Sequence, residues 1–147
     1  LGRLERLGRR SAYPLSLVRA ARVTAPRAVL VGNAAHGLHP VAGQGYNLGL
    51  RDVATLAEVV ADAVRAGGDP GAPAVLERYA TWRGPDQRSV VAFTDGLIRL
   101  FDLPIAGPAR GLGLALFDVA PGAKRALARR TMGLGGTLTR LARGLPL

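Results

Sequence analysis

The feature that most restricts this chain is a change of hydrophobic period around residue 32. Ala28-Val29-Leu30-Val31 is apolar on both faces, as a buried parallel strand requires. From about Asn47 to Ala66 the apolar residues Val53, Leu56, Val60, Ala63 and Val64 recur at helical spacing instead. Between the two lies Gly32-Asn33-Ala34-Ala35-His36-Gly37-Leu38-His39-Pro40-Val41-Ala42-Gly43-Gln44-Gly45-Tyr46-Asn47, rich in small and polar residues. A strand that ends in a glycine-rich loop and hands over to a helix is where an α/β protein offers unpaired N–H groups to a ligand. Gly43 and Gly45 would let a flat or anionic group approach the backbone, Pro40 would stiffen the loop, and Asn33 at the strand tip would offer an amide. A glycine-rich turn can also exist merely to turn the chain.

The rest of the sequence reads as short strands followed by helices. Tyr13-Pro14-Leu15-Ser16-Leu17-Val18 suggests a short strand, with Pro14 favouring an edge or a strand start. Gly67-Gly68-Asp69-Pro70-Gly71 ends the first helix. A second helix is expected from Pro73 through Leu76, Tyr79 and Trp82, with Gly84-Pro85 kinking or interrupting it. A third is expected over about 86–101, then shorter ones in Gly113 to Val119 and Ala123 to Arg130. The tail from Gly133 to Leu147 reads as loose.

Composition excludes several classes. The 147 residues contain no cysteine, so there is neither a disulfide framework nor a thiolate metal site, in keeping with a reducing compartment. Apolar runs such as Leu112 to Phe117 fall far short of the ~20 residues that span a bilayer. His36-x-x-His39 lacks a third ligand cluster, so no metal site is expected. The dinucleotide fingerprint is not met either. Gly43-x-Gly45 has no third glycine at the required spacing, Gly111-Leu112-Gly113 follows no convincing strand, and Lys124 is the only lysine.

At the loop the wording becomes specific. Gly32-Asn33-Ala34-Ala35-His36, Pro40, and Gly43-Gln44-Gly45-Tyr46-Asn47-Leu48-Gly49-Leu50-Arg51-Asp52 resemble the second flavin motif of the FAD-dependent aromatic hydroxylases. Within that family the stretch is most similar to the ubiquinone-biosynthesis hydroxylases of the 2-octaprenyl-6-methoxyphenol hydroxylase type. Phe93-Thr94-Asp95-Gly96-Leu97-Ile98-Arg99-Leu100-Phe101 and Ala128-Arg129-Arg130-Thr131-Met132-Gly133 resemble the group's C-terminal helices, so the likeness covers roughly residues 11–133.

The resemblance implies an α/β (α+β) fragment: the C-terminal part of an FAD-binding two-domain hydroxylase, one or two short strands followed mostly by α-helices. Residues 1–27 would close the substrate-domain sheet and return to the flavin domain, 28–66 would form the flavin-binding strand, loop and helix, 67–132 the C-terminal helices, and 133–147 a loose tail. It implies a cofactor site of Gly32, Asn33, His36, Pro40, Gly43, Gln44, Gly45, Asn47 and Leu48, with no catalytic acid–base residue. Asn33, where the family more often has Asp, would contact the ribityl chain, residues 40–45 would line the isoalloxazine, and N–H groups near Asn47 and Leu48 would face the pyrimidine edge. A helix N-terminus suits the negative charge of reduced flavin. His36 would be structural or flavin-adjacent. Asp52 either complements the helix dipole or anchors the loop, and Thr94-Asp95-Gly96 reads as a packing contact. The implied reaction hydroxylates the ring of a prenylated phenol through a flavin C4a-hydroperoxide, with NAD(P)H as electron donor. The N-terminal G-x-G-x-x-G unit of that family is not in this sequence, so the chain alone is expected to bind FAD weakly or not at all.

A second reading starts from charge. Residues 1–30 hold seven arginines against Glu5, and residues 103–147 hold Lys124 and six arginines against Asp118, while the middle is slightly acidic. Basic flanks suit a module that docks on an anionic membrane or a partner, including a ubiquinone-biosynthesis complex. Codon bias is the blander account, since 19 of the 20 cations are arginine. With 5% aromatics and no recognition motif, nucleic acid is not expected as a partner. The location expected is cytoplasmic, peripheral on the inner face of the membrane.

Overall fold

Among the described residues, four two-residue strands, paired as two antiparallel ribbons, precede four α-helices. The computed structural model describes residues 8–13, 16–40, 43–102 and 107–147. Strand β1 (Val18–Arg19) pairs with β4 (His36–Gly37), placing Val18 opposite Gly37 and Arg19 opposite His36. Strands β2 (Thr24–Ala25) and β3 (Ala28–Val29) form a hairpin around Pro26-Arg27. Proline followed by a residue at positive φ is the chemistry of a type II turn, and Arg27 takes φ 58°. Its guanidinium reaches Asp69 at 2.5 Å and ties the hairpin to the loop between the first two helices.

Residues 28–31 therefore do not form a buried parallel strand. Only Ala28 and Val29 are in a strand, the pairing is antiparallel, and Leu30 is 39% exposed. Of the strand expected over 13–18, only Val18 is extended in a ladder, and Pro14 and Leu15 lie outside the described residues.

Helix α1 (Gln44–Arg65) packs along α2 (Pro73–Asp102), and the core lies between them: Leu48, Val59, Leu76, Tyr79, Val90 and Val91. The buried stripe of α1 is Leu48, Asp52, Thr55, Glu58 and Val59, so the inward face is partly polar. The apolar residues at helical spacing are not the buried stripe: Val53 is 52% and Val64 58% exposed, and Leu56, Val60 and Ala63 are half-buried. Periodicity located the helix, and its inner side carries the polar side chains that bind the loop.

Helix α2 runs unbroken through Pro85 and merges the two helices expected there. Proline removes one hydrogen bond to the residue four earlier. Here both Pro85 and Thr81 are exposed, where water can take the orphaned carbonyl. Across the same turn Arg83 Nη2 pairs with Asp86 Oδ2 at 2.8 Å and staples the helix over its missing bond. Helices α3 (Gly107–Asp118) and α4 (Pro121–Thr131) follow as a hairpin, α4 beginning with proline at its first position.

The segment expected to be a loose tail is held down. Trp82 Nε1 donates to the Thr137 carbonyl at 3.1 Å, and Thr139 is buried. The Arg140 N–H donates to Glu58 Oε2 at 2.6 Å, and its guanidinium pairs with Glu58 and Asp62 on α1. A single 3-10 turn, Leu141–Arg143, ends this segment.

Candidate functional site

The loop between β3 and α1 is seated by a backbone-to-backbone contact. Gly32 begins a 3-10 turn (Gly32–Ala34) with φ 58°, and its Cα faces Gly49 on the second turn of α1. A Cβ on Gly49 would stand 3.2 Å from the Gly32 Cα, so a side chain there would push the turn away. The contact brings Asn33 to the first turns of α1.

Behind this contact sits Asp52, fully buried one turn further along the helix. Its Oδ2 accepts from the Gly32 N–H at 3.3 Å and lies 2.9 Å from His36 Nε2 on β4. Its Oδ1 accepts from Arg83 Nε at 2.7 Å and from Gln87 Nε2 at 3.0 Å, both on α2. The network continues outward: Arg83 also pairs with Asp86, and Asp86 Oδ2 lies 3.0 Å from Arg51 Nε. Charges of alternating sign thus run His36–Asp52–Arg83–Asp86–Arg51 from the loop into the helices.

Burial alone would raise the Asp52 carboxyl, but hydrogen bonds from His36, Arg83 and Gln87 hold it below its usual value. Burial alone would lower the His36 imidazole, and the Asp52 carboxylate reverses this and raises it, favouring the charged ring. Tyr79 is pushed well above the normal phenol range by burial and then by the Asp52 charge, so it remains neutral. Asp52 is therefore a charged anchor for the loop, which decides between the two roles open to it from the sequence.

The front of the loop is built differently. Helix α1 starts at Gln44 behind Gly43, whose φ of 60° aims the helix away from the loop. No side chain caps this end and no acid lies in its first turn, so the first N–H groups and their partial positive charge are left available. An added Cβ at Gly43 or Gly45 would meet nothing within 4 Å among the described residues. Asn33, Pro40 and Asn47 are exposed at this front.

The nine residues singled out from the sequence thus divide in two. Asn33, Pro40, Gly43, Gly45 and Asn47 stand at the open front. Gly32, His36, Gln44 and Leu48 form the back, where His36 is turned to Asp52 and Leu48 is wholly buried. The Gln44 side chain points inward toward Val90, Phe93 and Leu127. Gln44 and Leu48 can offer backbone groups only at the front.

A cleft of about 1700 Å³ lies elsewhere, between α1, α2, α4 and the C-terminal segment. None of the described residues of 32–48 lines it, and most of its cations are committed: Arg51 to Asp86, Arg78 to Asp62, Arg83 to Asp52, Arg130 to Ser89, with Arg129 left at its edge. Size alone does not make it the site, since the glycine-rich turn and the uncapped start of α1 lie outside it.

A family model described as an FAD binding domain matches residues 4–94. The chain belongs to that FAD binding domain family. Ubiquinone hydroxylase UbiL of Rhodospirillum rubrum is 49% identical over 152 residues, taking in all of this chain and 35% of that protein. The mitochondrial ubiquinone biosynthesis monooxygenase COQ6 of Caenorhabditis elegans is 40% identical over 111 residues, 74% of this chain and 25% of that protein. Human COQ6 is 42% identical over 89 residues, 60% of this chain and 19% of that protein. The chain spans about a third of the length of the first of these relatives. The resemblance carried by residues 32–52 agrees with the names of these relatives.

The open front suits the flavin of this family. It offers uncapped N–H donors, no acid in the first turn and no Cβ in the way. Reading the sequence missed the back of the site: Gly49, Arg83, Gln87, Asp86 and Arg51. One signal was present, the polar run Arg83-Gly84-Pro85-Asp86-Gln87 inside an otherwise amphipathic helix.

Proposed function

We propose that the loop of residues 32–48 holds the isoalloxazine and ribityl parts of FAD in a flavin-dependent monooxygenase of which this chain forms a part. The observation that carries this reading is the uncapped start of α1 opening onto free space at Gly43 and Gly45 beside Asn33. Bound FAD would supply oxygen activation and transfer of one oxygen atom to an electron-rich ring. The chain's own residues position it. N–H groups of the first turn of α1 face the flavin's electron-rich pyrimidine edge, where charge accumulates on reduction, and they need no rearrangement to do so. Asn33 bonds a ribityl hydroxyl. Asp52, held by Arg83 and Gln87, fixes the Gly32 N–H and His36, and so fixes the loop.

The same reading takes a prenylated phenol of ubiquinone biosynthesis as substrate and NAD(P)H as electron donor. It is supported by the ubiquinone hydroxylase and monooxygenase names of the relatives. A substrate with a prenyl tail resides in a bilayer, so the enzyme would work in the cytoplasm, peripherally at the membrane face. A non-catalytic basic docking module is the second reading, favoured by the exposed apolar residues of α3 beside the basic α4.

Flavin fluorescence tests the first reading. Titrating FAD or free riboflavin with the chain should give weak, saturable quenching that Gly45→Val abolishes while the far-UV circular dichroism is unchanged. Quenching that survives Gly45→Val would contradict it.

A further inference from the structure

Helix α3 has an apolar face that nothing among the described residues covers. Leu112, Ala115 and Leu116 follow the spacing i, i+3, i+4 at the C-terminal end of the helix and lie on one side, and Val119 follows at i+7 in the turn just beyond it. Leu112 is 63%, Leu116 59% and Val119 75% exposed. The chief neighbour of α3 is α4, and Phe117, off this stripe, is half-buried. Helix α4 carries Lys124, Arg125, Arg129 and Arg130 and no acid. Lys124 pairs with Asp118 and Arg130 with Ser89, whereas Arg125 and Arg129 lie on one side of the helix with no ion-pair partner among the described residues.

An exposed apolar stripe explains attraction to any apolar surface. Joined to a helix with unneutralised arginines, it selects a surface that is apolar just beneath an anionic layer. We infer that the α3–α4 hairpin is a membrane-docking element that seats Leu112, Leu116 and Val119 among the acyl chains of an anionic bilayer while Arg125 and Arg129 meet its headgroups. No described helix is long and apolar enough to cross a membrane, so the hairpin lies in the interface. The exposed apolar stripe of α1 (Tyr46, Leu50, Val53, Val64) differs, since it begins at the proposed flavin loop. The inference deepens the peripheral-membrane part of the reading above and is independent of flavin chemistry.

The test is sedimentation of the chain with sucrose-loaded vesicles of phosphatidylcholine, with and without phosphatidylglycerol. The chain should pellet with the anionic vesicles, and raising salt from about 0.05 to 0.5 M should release most of it as screening shortens. Arg125→Glu/Arg129→Glu should lower partitioning at least tenfold, at about fivefold per basic residue removed. Leu112→Glu/Leu116→Glu should abolish it. All four positions are exposed, so helicity should be unchanged, and flavin quenching should be unchanged in both variants. Failure of the flavin reading would leave vesicle binding intact, and failure of this one would leave quenching intact. Absence of vesicle binding at low salt, equal binding to neutral vesicles, or binding indifferent to the leucine variant would overturn the inference. So would a dimer in sedimentation equilibrium that Leu112→Glu/Leu116→Glu dissolves with no lipid present, which would assign the face to a second copy of the chain.

Discussion

Arg83 Nε lies 2.7 Å from Asp52 Oδ1, and both side chains are buried. The two residues are 31 apart in sequence, on different helices, and their pairing joins α2 to the loop that α1 carries. A buried pair is weak evidence of net stabilisation, but removing one member leaves the other charged and dry. Arg83→Met should therefore cost roughly 3–5 kcal/mol, a large part of the stability of a domain this size. Denaturant unfolding of Arg83→Met, Asp52→Asn and the double variant should give a coupling energy above about 1 kcal/mol. Additive effects would mean that the pair does not act as a unit.

The same hub sets a pH window. The Asp52 carboxyl is held below its ordinary value near 3.8, so its contribution is present above that value and is lost as pH falls through the depressed folded-state value. The His36 imidazole is held above 6.5, so its contribution is complete below 6.5 and is lost as pH rises through the raised folded-state value. The urea midpoint should be highest between about pH 4 and 6.5 and fall on both sides. His36→Gln should flatten the alkaline side and leave the acid side in place.

Two glycines of the loop should respond in opposite ways. Gly49→Ala places a methyl 3.2 Å from the Gly32 Cα, against backbone that cannot move aside cheaply, and should destabilise the chain by about 1–2 kcal/mol. Gly45→Ala meets nothing within 4 Å among the described residues and lies in the first turn of α1, where alanine gains up to about 0.5 kcal/mol over glycine. Gly45→Ala should raise the melting temperature while weakening flavin quenching. Stability and binding moving together at position 45 would deny that its vacancy serves a ligand.

Much of this arrangement was legible from the residues alone. The loop of 32–48 declares itself because glycine, proline and asparagine are concentrated where the hydrophobic period changes, and the helix after it is strongly periodic. What escaped was the side of α1 that turns inward. Val53, Leu56, Val60, Ala63 and Val64 are the better apolar stripe, yet the buried one includes Asp52, Thr55 and Glu58. Pattern reading places charge outside and cannot see that Arg83 and Gln87, one helix away, make Asp52 welcome inside. Pro85 misled for a related reason: a local rule predicts a break, and the Arg83–Asp86 pair with an exposed carbonyl side lets the helix continue. The short strands were overextended because Ala28 to Val31 is apolar enough for a sheet that the described residues do not contain.

The C-terminal segment gives a further prediction. Arg140 fastens it to Glu58 and Asp62, and Trp82, the only tryptophan, holds the Thr137 carbonyl. Arg140→Ala should release the segment, shift Trp82 emission to longer wavelength and speed proteolysis after residue 132, with the α1–α2 core still folded by circular dichroism. An unchanged emission maximum would mean that the segment is held by other contacts.

The central claim is that the start of α1 and the turn at Gly32 face the flavin, with Asp52 behind them. Amide chemical shifts of the labelled chain during titration with FAD test this most directly. The account predicts saturable shifts at Gly32, Asn33 and residues 43–48, with none along the cleft lined by Trp82 and Thr137. Shifts centred on that cleft, with the start of α1 silent, would contradict it.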